Sequence, residues 1–278
     1  KRGSGKSITV NNIMSNQYEQ GNSCVYFSIE MTGYETLERT MSILADVPLQ
    51  SIKQNKLTDD ELLKLVKVRA GMFQDADSLV LDFMKDKDRY KFEERLVREK
   101  VLKPDNQMVI IDDRALTLSS VDLHVGKLKA KFGDKLGVVI IDYLNQIVVE
   151  GSYRQFDWQP QIVVSKKLKE IARKYDVVVV SPYQIDASGE ARFAKGILDA
   201  ADIALVMEAH DKDMSALTFE TTKIRGGREM KFTSPISWES LRISPIAIDT
   251  PEKKDTIKKA GKRSAKVEED ATDLPWDA

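Results

Sequence analysis

Short apolar runs alternate with longer stretches of helical period along this chain. Ile8 to Tyr18 suits a helix, and Gly21 suits its end. Ser23-Cys24-Val25-Tyr26-Phe27-Ser28-Ile29 is a buried-strand pattern, with Glu30 just past its end. Tyr34, Leu37, Met41 and Leu44 then mark one face of a helix. Another helix starts at Thr58, whose capping box is closed by Glu61 and whose apolar positions include Leu62, Leu65, Val66 and Ala70. From about 76 to 106 the pattern is less regular. Leu79-Val80-Leu81 predicts a strand, and the doubly charged stretch from Lys85 to Lys100 predicts a solvated helix face.

The second half is clearer. Met108 to Ile111 reads as a strand, followed by a helix capped by Ser119 or Ser120 and running to about Phe132. Val138-Val139-Ile140-Ile141 is the strongest buried strand and ends in Asp142. A helix over roughly 162–175 leads to the strand Val177 to Val180, with a further strand over Ile203 to Met207. Leu217 to Ile224 alternates, and is predicted to pair with Met230-Lys231-Phe232 through the turn Arg225-Gly226-Gly227-Arg228. The expected fold is α/β: a mostly parallel sheet with helices on both faces and a C-terminal antiparallel hairpin. Ligands of such sheets collect at the carboxyl ends of the strands, where Glu30, Asp142 and Gln184 fall.

The hydrophobic pattern stops near Pro251. Lysines and Arg263 are followed by the acidic residues Glu268 to Asp277 around Leu274-Pro275-Trp276. The expected division is therefore a folded domain over 1–249 and a disordered tail over 250–278, basic and then acidic. An acidic tip carrying a tryptophan suits docking on a basic patch of a partner protein, or simple solubilisation. No internal repeat is visible.

Composition narrows the class. The chain has 278 residues, 42% hydrophobic and 31% charged, which supports a sizeable core. Its 43 basic and 44 acidic side chains leave a net charge of −1, so nucleic-acid binding would have to come from local patches. One cysteine, Cys24, excludes an intrachain disulfide and fits a reducing compartment; no apolar run is long enough to span a membrane. A cytoplasmic location is expected.

The opening Lys1-Arg2-Gly3-Ser4-Gly5-Lys6-Ser7 contains the end of a P-loop, G-x-x-x-x-G-K-[ST], whose first glycine would precede Lys1. The chain is therefore expected to be a piece of a longer protein. Gly3, Ser4 and Gly5 would let backbone N–H groups cradle phosphates, Lys6 would reach the β- and γ-phosphates, and Ser7 would ligate Mg²⁺. Asp142 after four aliphatics suits a second metal-orienting group, and Glu30 a general base. Gln184 is a candidate γ-phosphate sensor. Lys223 and Arg225 end a strand at a glycine-rich turn, as fingers into a neighbouring subunit or as charges protecting a sheet edge.

These segments, in this order, resemble the DnaB-type replicative helicases, including the helicase halves of phage primase–helicases. The resemblance runs from Lys1 to about Ile243. It rests on Phe27-Ser28-Ile29-Glu30-Met31, Val109 to Asp113 with Leu116-Thr117, Val139 to Leu144, Val177 to Gln184, Asp199 to Ile203 and Lys223-Ile224-Arg225. It implies a RecA-like P-loop NTPase core, ATP with Mg²⁺, and a homo-hexamer with active sites between subunits. Lys223 and Arg225 would then act in trans. Single-stranded DNA would lie in the channel, against loops at about 150–159 and 186–196, with Arg192, Lys195 and Gly196 on phosphates. 5′-to-3′ movement follows from the same resemblance, and the acidic tail would then suit docking on a primase, a polymerase or another replication protein. Two other readings stand beside it: a recombinase similar to RecA or RadA that forms filaments, and a non-enzymatic ATP-binding module. The chain departs from the family at Tyr183, where a small polar residue is usual, in a shorter second loop, and in the 76–106 stretch, which looks inserted.

Overall fold

A computed structural model describes residues 5–99, 101–149, 158–183, 196–210 and 215–248. The expected tail over 250–278, and most of both loops expected to meet DNA, lie outside them. The first helix, α1 (Lys6–Glu19), leads into β1 (Ser23–Ser28), which is buried along its whole length. Three helices follow: α2 (Gly33–Ala45), α3 (Leu49–Gln54) and α4 (Asp59–Ala70). Thr58 and Glu61 close the predicted capping box of α4, and Thr32 with Glu35 forms a second at α2.

The stretch read as irregular is two helices, α5 (Ala76–Asp86) and α6 (Arg89–Glu99). The predicted strand at 79–81 is therefore overturned. In helical geometry Leu79 and Phe83 share one buried face while Leu81, between them, is 66% exposed. Phe83 meets Phe92 of α6 edge to face at 5.7 Å, and Leu96 completes a cluster with Met41, Leu65 and Val66. The stretch thus shares the helical core of α2 and α4.

Strand β2 (Met108–Asp112) precedes α7 (Leu118–Phe132). The α7 cap is Thr117, not Ser119 or Ser120: the Thr117 side chain accepts from the Ser120 amide, and both serines lie inside the helix. Next come β3 (Leu136–Asp142), α8 (Trp158–Tyr175) and β4 (Val178–Val180). The four strands form a parallel sheet in the order β2-β1-β3-β4. Alternate residues of the central strands face opposite layers. Val25, Phe27, Val139 and Ile141 pack on α7 and α8 through Val121, Val125, Val164 and Leu168. Cys24, Tyr26, Val138 and Ile140 pack on α1 through Val10 and Met14. Four successive aliphatics in β3 are thus explained by a strand covered on both sides.

The segment at 203–207 does not extend the parallel sheet. It opens a second, antiparallel one, β5 (Ile203–His210), β6 (Ala216–Ile224) and β7 (Lys231–Pro235), in that order. The predicted hairpin is present within it, with Glu220 opposite Lys231 and Gly226 at φ 78° in the turn. One end of this sheet seals α1: Leu217, Phe219 and Ile236 cluster with Ile8, Met207 and Trp238.

The segment after β7 is fastened to α1 by one buried side chain. Asn12 Nδ2 donates to the carbonyls of Ile8 (2.9 Å) and Leu241 (2.8 Å), and its Oδ1 accepts from the Ile243 amide (2.9 Å). Removing it strands backbone groups in the interior. Asn12→Ala should lower unfolding stability in urea by about 2 kcal/mol or more, while the exposed Asn16→Ala should stay within ~0.5 kcal/mol of the parent.

Candidate functional site at the tips of the central strands

The parallel register of β1 and β3 brings the site together. Ser28 is level with Asp142, and the Ile29 amide donates to the Asp142 carbonyl at 3.3 Å. Glu30 therefore emerges beside Asp142 although 112 positions separate them. Lys6 opens α1, which packs against β1 and β3 from the other side. Gly5, just before it, sits at φ 85° in the left-handed region that favours glycine. A Cβ there would lie 3.6 Å from Trp238 and 3.9 Å from Leu217 and Met207. The antiparallel sheet thus backs the start of α1.

Three charged groups gather here. The Lys6 pKa is lowered by burial, while the carboxylates of Asp142 and Glu30 oppose that fall. Asp142 is buried, and burial raises its pKa; Tyr26 and Ser7 pull it down, Glu30 pushes it up, and Arg39 pulls it down. Tyr26, fully buried on β1, donates to Asp142 Oδ2 at 2.6 Å. Asp142 Oδ1 is buried with no hydrogen-bond partner among the described residues. Such an oxygen is costly unless something else satisfies it. Glu30 is exposed, and one of its oxygens, Oε1, accepts from Tyr143 Oη at 3.0 Å and Gln146 Nε2 at 2.9 Å.

Of the predicted residues, the structure gathers Gly5, Lys6, Ser7, Glu30 and Asp142. Gly3, Ser4, Gln184, Arg192 and Lys195 lie outside the described residues. Gly196 lies against Ile162 of α8, where an added Cβ would come too close to the isoleucine Cδ1 unless that side chain shifts. Lys223 and Arg225 lie elsewhere. Lys223 Nζ donates to the carbonyls of Leu198 and Asp199, both at 2.8 Å. Arg225 faces Asp202 at 3.5 Å, and Lys169 bonds the same carboxylate. The Lys169 hydrogen bond, then the charges of Lys169, Arg225 and Arg173, hold Asp202 below the usual carboxylate range. Leu217, next to Gly5, and Arg225 stand at opposite ends of β6, roughly 26 Å apart along extended chain. Neither cation belongs to the Lys6 cluster of its own chain.

Tyr26, Tyr143 and Gln146 are the members that sequence reasoning missed. Tyr26 has a faint signal, a phenol in an otherwise apolar or small buried run. Gln146 has none beyond following Asp142 by one helical turn.

A parallel sheet with a glycine-lysine-serine helix start facing an acidic strand tip defines a RecA-like P-loop NTPase fold. Residues 1–198 match the family described as the DnaB-like helicase C terminal domain, and the chain belongs to it. It is 24% identical to the replicative DNA helicase DnaB of Geobacillus stearothermophilus over 190 residues. Its identity to the replicative DNA helicase DnaC of Bacillus subtilis (strain 168) is also 24%, over 192 residues. Each match covers 68% of this chain and 34% of the relative, so the chain spans about a third of their length. Among solved structures it resembles one described as an ATPase domain, with a TM-score of 0.66 and 17% identity over 87% of this chain and 81% of that one. A DnaB-like replicative helicase, described with its interactions with primase, superposes with a TM-score of 0.67 and 16% identity, over 87% and 56%. No described helix is long and apolar enough to cross a membrane.

The Tyr26 bond can be tested apart from any activity. In an acid whose folded pKa is raised, ionisation costs stability above that pKa, and the cost vanishes as pH falls below the unfolded value. Tyr26→Phe removes a donor to the ionised form. It should cost about 1–3 kcal/mol at pH 7 and less at pH 4, read by denaturant unfolding at both pH values.

Proposed function

We propose that the chain is the motor of an ATP-dependent replicative DNA helicase, with residues 1–249 as its ATPase domain. The observation that carries this reading is the cluster of Lys6, Glu30 and Asp142 at the tips of β1 and β3, in a chain of the DnaB-like family. The backbone of Gly3 to Gly5 and the Lys6 ammonium would hold the phosphates of ATP at the start of α1. The donor set fits Mg²⁺: Ser7 and Asp142 supply hard oxygens, and Asp142 Oδ1 is the buried acceptor that lacks a partner. Bound there, the ion would neutralise phosphate charge. Tyr26 holds the other Asp142 oxygen and so orients the carboxylate.

Glu30 keeps one carboxylate oxygen clear of Tyr143 and Gln146, and would take a proton from the attacking water. Gln184 would sense the terminal phosphate. Lys223 and Arg225 would serve the site of an adjacent subunit. Their distance from Lys6 along β6 supports a ring, read as a homo-hexamer, in which each site is completed by a neighbour. Single-stranded DNA would run past Arg192, Lys195 and Gly196, driven 5′ to 3′. A primase is the partner named for a structural relative, and we extend it to this chain together with polymerase contact through the acidic tail. Family membership gives no support to the recombinase or non-enzymatic readings.

Glu30→Gln should lower ATP turnover at least on the order of 100-fold while leaving nucleotide binding intact. Lys6→Ala and Arg225→Ala should each be inactive alone. Mixed, they should regain ATPase activity, because some interfaces then join an intact Lys6 to an intact Arg225. Parental turnover in Glu30→Gln, or no recovery on mixing, would count against this reading.

A further inference from the structure

The grip on Glu30 has a consequence beyond the base itself. Glu30 is exposed and lies past the end of β1, so neither burial nor strand pairing fixes its side chain. It also sits within electrostatic reach of Lys6.

The restraint comes from the turn after Asp142. Gln146 Nε2 donates to Glu30 Oε1 at 2.9 Å and to the Tyr143 hydroxyl at 3.0 Å, and that hydroxyl donates to the same Glu30 oxygen at 3.0 Å. The three groups close a triangle. The turn is closed by its own backbone: the Gln146 amide donates to the Tyr143 carbonyl at 3.1 Å, and the Ile147 amide to the Leu144 carbonyl at 3.3 Å. Leu144 and Ile147 are buried in the core under α7 and α8. Farther on, the Val148 amide donates to the Leu116 carbonyl at 2.9 Å, which ties the segment to the chain entering α7. Gln146 and Tyr143 are therefore aimed from fixed backbone. Both donors converge on Oε1, and neither contacts Oε2.

We propose that Gln146, with Tyr143, is a positioning residue that holds Glu30 by one oxygen and keeps the other directed at the attacking water. The inference rests on the reading of Glu30 as the base. Both would act through the carboxylate they hold.

The experiment combines kinetics with a measurement in the nucleotide-free protein. ATP turnover, KM and fluorescent-nucleotide affinity are compared for the parent, Gln146→Leu, Tyr143→Phe, Glu30→Gln and the double variant Glu30→Gln/Gln146→Leu. Gln146→Leu should lower kcat on the order of 10- to 100-fold, with KM and nucleotide affinity within about twofold of the parent. Tyr143→Phe should act in the same direction. In the Glu30→Gln background, Gln146→Leu should add no further loss, because the group it positions is already gone; a merely structural role would lower residual turnover and nucleotide affinity again. The Gln146 side-chain amide resonance, assigned by its disappearance in Gln146→Leu, should shift in Glu30→Ala. A Gln146→Leu protein that turns over like the parent while Glu30→Gln is inactive would overturn the proposal and leave the base assignment standing. An additive double variant, or an amide resonance indifferent to Glu30→Ala, would overturn it equally. Parental turnover in Glu30→Gln would instead remove the base on which the proposal rests.

Discussion

The site depends on the parallel pairing of β1 with β3. Five consecutive positions, from Cys24 level with Val138 to Ser28 level with Asp142, lock two strands that are distant in sequence. Side chains alternate across a sheet, so a slip of one residue would turn Tyr26 from the α1 layer to the α7 and α8 layer. Tyr26 would then lose Asp142, and Glu30 would no longer emerge beside it. The register is held by burial on both faces. Val25, Phe27, Val139 and Ile141 fit one layer, and Cys24, Tyr26, Val138 and Ile140 the other. Hydrophobic packing thus performs the positioning on which the charge chemistry relies.

Around that pairing, the polar groups follow one scheme: each carboxylate is held by one oxygen. Tyr26 takes Oδ2 of Asp142 from within the sheet, and Tyr143 with Gln146 takes Oε1 of Glu30 from the following turn. The remaining oxygens are the buried Oδ1 of Asp142 and the second oxygen of the exposed Glu30. Hydrogen bonds fix direction here at modest energetic gain, and the cost of an unpartnered buried oxygen is tolerated where a ligand would repay it.

The sequence was legible wherever burial imposes period. Strands β1, β3 and β4 show as apolar runs, the Thr58 to Glu61 box marks α4, and the glycines at 226 and 227 mark the β6–β7 turn. It misled where one residue type serves two periods. Leu79-Val80-Leu81 reads as a strand, but Phe83 and Phe92 supply the partners that make it helical. At α7, Ser119 and Ser120 look like caps, but both are helical, and Thr117 two positions earlier has the extended backbone that a cap requires. Glu30, Asp142 and Lys6 were legible because their chemistry sits in motifs of fixed spacing. Tyr26 and Gln146 were not, because their roles come from contacts across 116 positions each, which no local pattern encodes. Lys223 and Arg225 stood out as cations at a glycine-rich turn, and only the length of β6 tells that they lie far from their own Lys6.

The central claim is that the β1–β3 register, with the start of α1, builds one Mg²⁺-nucleotide site. Hydrogen–deuterium exchange with and without Mg²⁺ and a non-hydrolysable ATP analogue tests it most directly. The account predicts slowed exchange in three segments together, at 5–11, 28–31 and 142–147. Protection confined to other parts of the fold, or one of these segments responding without the rest, would contradict it.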